Sequence, residues 1–409
     1  MKKKLAFPKE KIKIFLFEKI HEAAKETFEA EGYSITEIPK ALQGDELREI
    51  VMEAHVLGVR SRTNIRASEF EHAKRLLCVG CFSVGTDQVD VEAGLAHGVP
   101  VFNAPHSSTR SVAELTSACI LALARKLTDK SAAMHQGNWE KSAAGSFEVR
   151  QKTLGIIGYG HIGQQVGLLT EALGMNVVFY DILKKLPLGR ARALSSKADV
   201  LSSSDYVSLH VPGTAQTRNM MGEPEFRLMR PGSYLLNLSR GEVVDLGALR
   251  AALISGHLAG AALDVYPQEP AANADKFACD VVGIPNVILT PHIGGSTEEA
   301  QRNIGIEVAR VLIDFLDNGS TVGAVNFPSV HLPTFPDSHR ILNIHRNVPG
   351  ALSEINQVVA EVGANVDAQY LSTFRDLGYL IMDVNKDLSD EVRDRISVLP
   401  KSVKTRLLY

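Results

Sequence analysis

Cysteine, charge of one sign and long apolar runs are all scarce in this chain, and each shortage removes a class of function. There are four cysteines in 409 residues: Cys78, Cys81, Cys119 and Cys279. Cys78 and Cys81 stand in C-x-x-C spacing, which serves zinc or redox chemistry, but no second such pair completes a zinc site. The pair lies inside Leu-Leu-Cys-Val-Gly-Cys-Phe-Ser-Val, which reads as a buried strand, so a structural role and no metal is expected. A net charge of -3 lacks the basic surplus that electrostatic nucleic-acid binding requires, yet leaves room for a small basic pocket. The most apolar helical stretch, around Cys119 to Ala124, is interrupted by Glu114 and Arg125 and falls short of the ~20 residues of a membrane span. The N-terminal Met-Lys-Lys-Lys-Leu-Ala-Phe-Pro is too short an apolar stretch for a signal peptide. Internal repeats and low-complexity segments are also missing. The expectation is a cytoplasmic protein with neither a membrane nor a nucleic-acid partner.

What is present is an ordinary globular balance, 45% hydrophobic and 22% charged, long enough for two or three domains of about 100–200 residues. Residues 12–17 (Ile-Lys-Ile-Phe-Leu-Phe) read as a strand. Strand and helix then alternate through Val99-Pro-Val-Phe-Asn, the pattern of a parallel α/β layer. One long Ala/Leu-rich helix is expected from Ser111 to about His135, with an irregular stretch from Asn138 to Phe147 after it. A second α/β run occupies Thr153 to about Gly295, and Glu298 to Asn318 is a long helix. Phe327-Pro328 and the proline-rich stretch from Leu332 to Ser338 have the look of a linker. The remaining C-terminal residues read β-α-β-β-α-β, the ferredoxin-like order.

Gly158-Tyr-Gly160-His161-Ile162-Gly163 is G-x-G-x-x-G, placed directly after a β run and opening a helix. Asp181 ends the next strand, close to the ~20-residue spacing of a dinucleotide-binding βαβ unit. Gly158 makes the tight turn, Gly160 lets backbone approach a pyrophosphate, and Gly163 lets helix pack on strand. The N–H groups of His161 and Ile162 face the phosphates at the helix start. Asp181 accepts hydrogen bonds from ribose hydroxyls and repels a 2′-phosphate, favouring NAD over NADP, although Lys184 and Lys185 follow closely.

Further polar residues stand at the ends of later strands: Asn237-Leu238-Ser239-Arg240-Gly241, Asp264 with Glu269 after it, and Pro291-His292-Ile293-Gly294-Gly295. Open α/β sheets bind ligands beyond the carboxyl ends of their strands. Taking a hydride from C2 of a hydroxy acid also requires removing the hydroxyl proton, a task for a histidine tuned near neutral pH. A glutamate beside it stabilises the imidazolium, and an arginine pairs with the substrate carboxylate. His292, Glu269 and Arg240 take these roles in turn. Singly, His292 reads better as a hydrogen-bonded structural histidine, Glu269 as a solvated loop carboxylate and Arg240 as a surface ion pair, so only the three together point to catalysis.

Together these segments resemble the D-2-hydroxyacid dehydrogenase family: Gly-Tyr-Gly-His-Ile-Gly, Asn-Leu-Ser-Arg-Gly, Asp-Val-Tyr-Pro-Gln-Glu-Pro and Thr-Pro-His-Ile-Gly-Gly. The resemblance implies that Arg240, Glu269 and His292 are catalytic. It also implies that Asp264 and the backbone of Leu238, Ser239 and Arg240 border the nicotinamide, with His292 to Gly295 alongside. The implied architecture is a Rossmann-type NAD-binding domain (108–296) inserted in a flavodoxin-like substrate domain (1–107 and 297–327). A linker (328–338) and a ferredoxin-like α+β domain of the ACT type (339–409) follow.

Arg60 and Arg62 end a strand at period two, so continued extended geometry points both guanidiniums the same way, suited to a dianionic phosphate. Lys40 and Lys141 are further cations, and a solvated positive edge is the other reading. Ser61-Arg62-Thr63, Asn103-Ala-Pro and Arg110-Ser-Val-Ala-Glu resemble the members of the family that act on phosphorylated hydroxy acids. That likeness implies Arg60, Ser61 and Arg62 at the substrate site, and Lys141 reaching in from a partner subunit. It further implies a phosphorylated hydroxy acid as substrate, with 2-oxoglutarate as a side substrate. The ACT-like tail implies L-serine as effector, held by His345, Asn347 and Asn365 at a paired interface, and a homotetramer. Other hydroxy acids, or an NAD-sensing corepressor without turnover, are the competing readings.

Overall fold

Short runs of aliphatic and aromatic residues form β1 (Ile14–Phe17), β2 (Ile35–Ile38), β3 (Val56–Val59), β4 (Cys78–Cys81) and β5 (Val101–Phe102). They make one parallel sheet in the order β2-β1-β3-β4-β5, the flavodoxin-like arrangement. β1, β3 and β4 are buried along their whole length, as strands covered on both faces must be. This description comes from a computed structural model covering residues 8–270, 276–333, 335 and 337–408. The chain divides into two units, Met1–Ser107 with Gln301–Tyr409, and Ser108–Ala300.

The second unit holds β6 (Thr153–Ile157), β7 (Asn176–Tyr180), β8 (Arg192–Ala193), β9 (Tyr206–Leu209), β10 (Ser233–Asn237), β11 (Leu258–Leu263) and β12 (Val287–Leu289). Their order, β12-β11-β10-β9-β6-β7-β8, is the doubly wound Rossmann order extended by one strand. The order reverses between β6 and β9, so the crevice for a dinucleotide lies at the end of β6, where the glycine-rich turn begins. The single helix expected from Ser111 to His135 is two, Thr109–Arg125 and Leu127–His135. Lys126 between them is left-handed at φ 50°, and its N–H closes the first helix on Ala122 and Leu123 carbonyls. The Ala124 carbonyl is taken by Phe147 N–H at 2.8 Å, a partner far along the chain that local sequence does not announce.

The C-terminal part of the first unit is an antiparallel sheet of β13 (Ser338–Arg346), β14 (Val366–Phe374), β15 (Leu377–Asn385) and β16 (Ser402–Leu408), ordered β14-β15-β13-β16. Helices Ala351–Val362 and Ser389–Ser397 complete the ferredoxin-like pattern. This module shares a core with the parallel-sheet part of the unit. Leu342, Ile344, Tyr379, Ile381 and Leu408 join one apolar cluster with Phe102, Val308, Leu312, Phe315 and Leu316. Arg340 and Asp383 form a pair with side-chain exposures of only 6% and 2%, at 2.7 Å. Arg340 also donates to the carbonyls of Asn318, Leu332 and Pro333, fastening the described part of the proline-rich stretch to the sheet. Removing one partner of such a buried pair costs about 3–5 kcal/mol.

The C-x-x-C pair lies on β4 with both thiols free and buried. Burial pushes the Cys78 thiol up to about 12 and raises Cys81 as well, which makes both poor nucleophiles. Among the described residues no group of three or more metal-ligating side chains occurs.

Candidate active site

Strand register builds the first part of the site. Asn237 on β10 sits opposite Leu263 on β11, and Leu263 opposite Leu289 on β12. The ladder runs one step past the strands, with Asp264 N–H donating to Asn237 O and Thr290 N–H to Leu263 O, both at 3.0 Å. The 238–240 turn, Asp264 and the turn holding His292 therefore emerge side by side from three adjacent strand ends.

His292 Nδ1 lies 2.8 Å and 3.0 Å from the two carboxylate oxygens of Glu269. That contact, the largest influence, raises the His292 pKa above 6.5, while burial and the Arg240 charge oppose it. For Glu269 burial is the largest influence and pushes the pKa up. The hydrogen bond and charge of His292, the Tyr266 N–H and the Arg240 charge outweigh it, and the net direction is down. Arg240 is thus near enough to act electrostatically on both. With Nδ1 committed to Glu269, the imidazole keeps Nε2 for another partner.

His292 adopts a left-handed backbone, φ 55°, uncommon for a residue with a side chain. Asp264 holds that turn. It accepts from Ile293 N–H at 2.8 Å, Gly294 N–H at 2.7 Å and the Thr290 hydroxyl at 2.6 Å. Ser111 Oγ donates to Gly294 O at 2.6 Å from the start of the neighbouring helix, and a Cβ on Gly295 would sit in contact with Ser108. Asn237, 1% exposed, shapes the other turn: its Oδ1 accepts from Ser239 N–H and Oγ, and its Nδ2 donates to Arg240 O at 2.9 Å. Leu238 is buried beneath, and Arg240 Nη1 donates to Ser239 O at 2.8 Å.

The glycine-rich turn has the shape a dinucleotide needs. Gly158 is at φ 93°, and a Cβ there would stand 2.4 Å from His210 O. Gly163 packs on Gly158 O, where a Cβ would again be at 2.4 Å. A Cβ on Gly160 would meet no other atom of the described residues within 4 Å beyond its immediate backbone, so the space a pyrophosphate would enter is clear there. His161 and Ile162 open helix His161–Ala172, whose N-cap Gly160 offers no side chain to their N–H groups. Asp181 accepts from Tyr159 N–H and Leu183 N–H at 2.8 Å each, joining the end of β7 to the turn. Asp264 Oδ2 accepts one hydrogen bond here and has capacity for a second, from an amide such as that of nicotinamide.

In the first unit β3 stops at Val59 and the chain bends over residues 61–63, so the extended geometry assumed for Arg60 and Arg62 does not continue. Glu18 organises the loop instead, accepting Arg62 N–H at 3.0 Å and Thr63 N–H at 2.7 Å. Burial, with the nearby Arg62 charge, lowers the Arg60 pKa against the pull of Glu18. Ser61 and Arg62 are exposed. Lys40 is engaged by Glu46 at 2.7 Å on the surface, and Lys141 is exposed in the irregular stretch of the second unit.

The residues expected to hold an effector are not together in one chain. Asn347 N–H bonds Asp376 O at the β14–β15 turn, whereas Asn365 N–H bonds Asn385 Oδ1 at the far end of both strands. A nine-residue strand of about 30 Å separates those ends. His345, 2% exposed, pairs through Nδ1 with Asn343 Oδ1 at 2.9 Å.

Residues 117–294 match the family described as D-isomer specific 2-hydroxyacid dehydrogenase, NAD binding domain, and residues 341–401 match the AHAS small subunit-like ACT domain. A D-3-phosphoglycerate dehydrogenase of Dictyostelium discoideum is 51% identical over 404 residues, covering 99% of both chains. The chain belongs to the D-isomer specific 2-hydroxyacid dehydrogenases, in their D-3-phosphoglycerate dehydrogenase branch. The Escherichia coli D-3-phosphoglycerate dehydrogenase is 50% identical over 409 residues, 99% of this chain and 100% of that one. Among solved structures, D-lactate dehydrogenase from Aquifex aeolicus complexed with NAD and lactic acid superposes with a TM-score of 0.70 at 29% identity, covering 77% of this chain and all of that one. The cofactor of this dehydrogenase is NAD, in keeping with the open turn at Gly160.

Sequence reading did not single out Tyr266, Thr290 or Glu18. The Tyr266 hydroxyl is shared between Leu263 O and Thr290 O, at 3.0 Å each, and its N–H reaches Glu269 at 3.2 Å. Their signal is the ladder register, which no local motif carries.

Proposed function

We propose that the chain oxidises D-3-phosphoglycerate at C2 to 3-phosphohydroxypyruvate, the entry reaction of serine synthesis by the phosphorylated route. The observation that carries this is the His292–Glu269 pair beside Arg240, beyond the ends of β10 to β12 in the same sheet whose β6 leads into the NAD-binding turn. Bound NAD supplies the acceptor for the hydride. His292 Nε2 takes the C2 hydroxyl proton, and Glu269 stabilises the imidazolium that results. Arg240 pairs with the substrate carboxylate and polarises the carbonyl in the reverse direction. Asp264, Leu238, Ser239 and Ile293 to Gly295 border the nicotinamide, and Asp181 takes the adenosine ribose hydroxyls.

Arg60, Ser61 and Arg62 take the phosphate, with Lys141 of a second copy completing the pocket. 2-Oxoglutarate, a dianion of similar reach, is the side substrate. L-Serine binds between two copies, where His345 and Asn347 of one meet Asn365 of the other. The separation of Asn347 and Asn365 within one chain favours such a paired site. A homotetramer follows if copies pair through the C-terminal sheets and also through the second unit. There Leu127–His135 has no buried residue and Trp139 is 78% exposed. The four free cysteines fit a reducing, cytoplasmic setting.

The test is NADH oxidation with phosphohydroxypyruvate, 2-oxoglutarate and glyoxylate in parallel, each with and without L-serine. Preference for phosphohydroxypyruvate, suppressed by serine, is expected. Turnover of glyoxylate alone, indifferent to serine, would refute both the phosphate site and the control. NAD binding with no turnover of any acid would favour the corepressor reading.

A further inference from the structure

Where the C-terminal sheet meets the parallel-sheet part of its unit, two half-buried cations lie together. Lys404 and Arg406, two apart on β16, both line a cavity of about 10 Å³. The rest of its wall is largely apolar, with Leu77, Phe315, Leu342 and Ile344 beside Tyr379, whose hydroxyl donates to Gly319 O. Lys404 Nζ is fixed by one hydrogen bond, to Leu76 O at 2.6 Å. The Arg406 guanidinium lies over the Phe315 ring, 5.4 Å from its centroid, with Nη2 3.4 Å from Leu316 O. Arg406 Nη1 is buried with no hydrogen-bond partner.

Negative charge at this place is short. Asp317, whose charge acts on Arg406, is already bonded by Lys9 at 2.7 Å and by the Tyr33 hydroxyl. The Cys78 thiol is held protonated by its burial. Burial and the Arg406 charge push the Lys404 amine down to about 8, so at neutral pH it remains mostly charged, at a cost. A water can satisfy Nη1 but cannot balance the charge. So small a cavity favours a single compact ion over a carboxylate metabolite.

We propose that this cavity is a binding site for a monatomic anion, a halide such as chloride, held between Lys404 Nζ and Arg406 Nη1. Bound there, the anion joins the C-terminal sheet to the helix Glu298–Asn318 and to the Leu76–Leu77 segment that leads into β4, and its occupancy sets how firmly the two parts of the unit adhere.

The full-length native chain is crystallised from sodium bromide and its anomalous scattering measured at the bromine edge. In parallel, its Tm is followed as chloride replaces gluconate at a constant ionic strength of about 0.15 M. A bromide peak between Lys404 and Arg406 is expected, with a chloride-specific Tm rise of about 2–4 °C that Lys404→Met removes. A water in the cavity without anomalous signal overturns the proposal. So does a bromide peak without chloride-specific stabilisation, which would mean binding at crystal concentration only. The crystallographic arm uses the native chain, so poor folding of the variant leaves the proposal testable.

Discussion

Gly241→Ala isolates the contact that spaces Arg240 from the His292–Glu269 pair. A Cβ at Gly241 would stand 1.9 Å from the Tyr266 carbonyl carbon, 2.1 Å from its oxygen and 2.4 Å from Pro267 N. These are backbone atoms, so no side chain can swing aside. Ordinary contact begins near 3.4 Å, and the two segments must separate by about 1.5 Å to reach it. One segment carries Arg240, and the other carries the Tyr266 N–H that holds Glu269. A misplacement of about 1 Å costs on the order of 100-fold in rate, and overpacking costs about 1–3 kcal/mol in stability. The expected outcome is a folded variant with kcat down about 100-fold or more. NADH affinity is expected to fall far less than kcat, because the Gly158 to Gly163 turn that takes the pyrophosphate belongs to a different strand end, and only the nicotinamide end borders the displaced segment. Steady-state kinetics with phosphohydroxypyruvate and a fluorescence titration of NADH measure the two. A kcat within about threefold of the parent would show that the contact does not set catalytic spacing.

Glu269→Gln removes the main influence that raises the His292 pKa. In the oxidation direction His292 must be neutral to accept a proton, so activity climbs as pH rises through its pKa. The variant's acid limb should therefore move to lower pH, with a lower plateau, and a pH–kcat profile with an unmoved limb would contradict the pairing. Asp181→Ala should weaken preference for NAD over NADP and loosen the Tyr159 turn. Equal discrimination by variant and parent, measured as kcat/KM with each cofactor, would contradict its role.

The dinucleotide unit was legible because its chemistry is local. Gly158, Gly160, Gly163 and Asp181 lie within one βαβ segment, where backbone freedom and helix–strand packing dictate residue type. Arg240, Glu269 and His292 were legible through their positions after apolar strands. What held them in place was not. Asn237, Asp264, Tyr266 and Thr290 act across β10, β11 and β12, and only the strand register brings them together. The break at Lys126 escaped for a similar reason, since Ala and Leu favour helix throughout and the decisive partner is Phe147. The arginine pair was found by an alternation that stops at Val59, and the loop's real organiser, Glu18, lies on a different strand end.

The apolar cluster common to the parallel sheet and the C-terminal sheet bears on how such a chain can be shortened. Cutting it before β13 would bare Phe102, Phe315 and Leu316 and strand the carbonyls of Leu76, Asn318 and Gly319 without their donors Lys404, Arg340 and Tyr379. The remnant would be a sticky catalytic fragment, and its inactivity or aggregation would say nothing about serine control. A lineage that loses this module must therefore repaint that surface with polar side chains. A lineage that gains one must acquire both faces of the seam together.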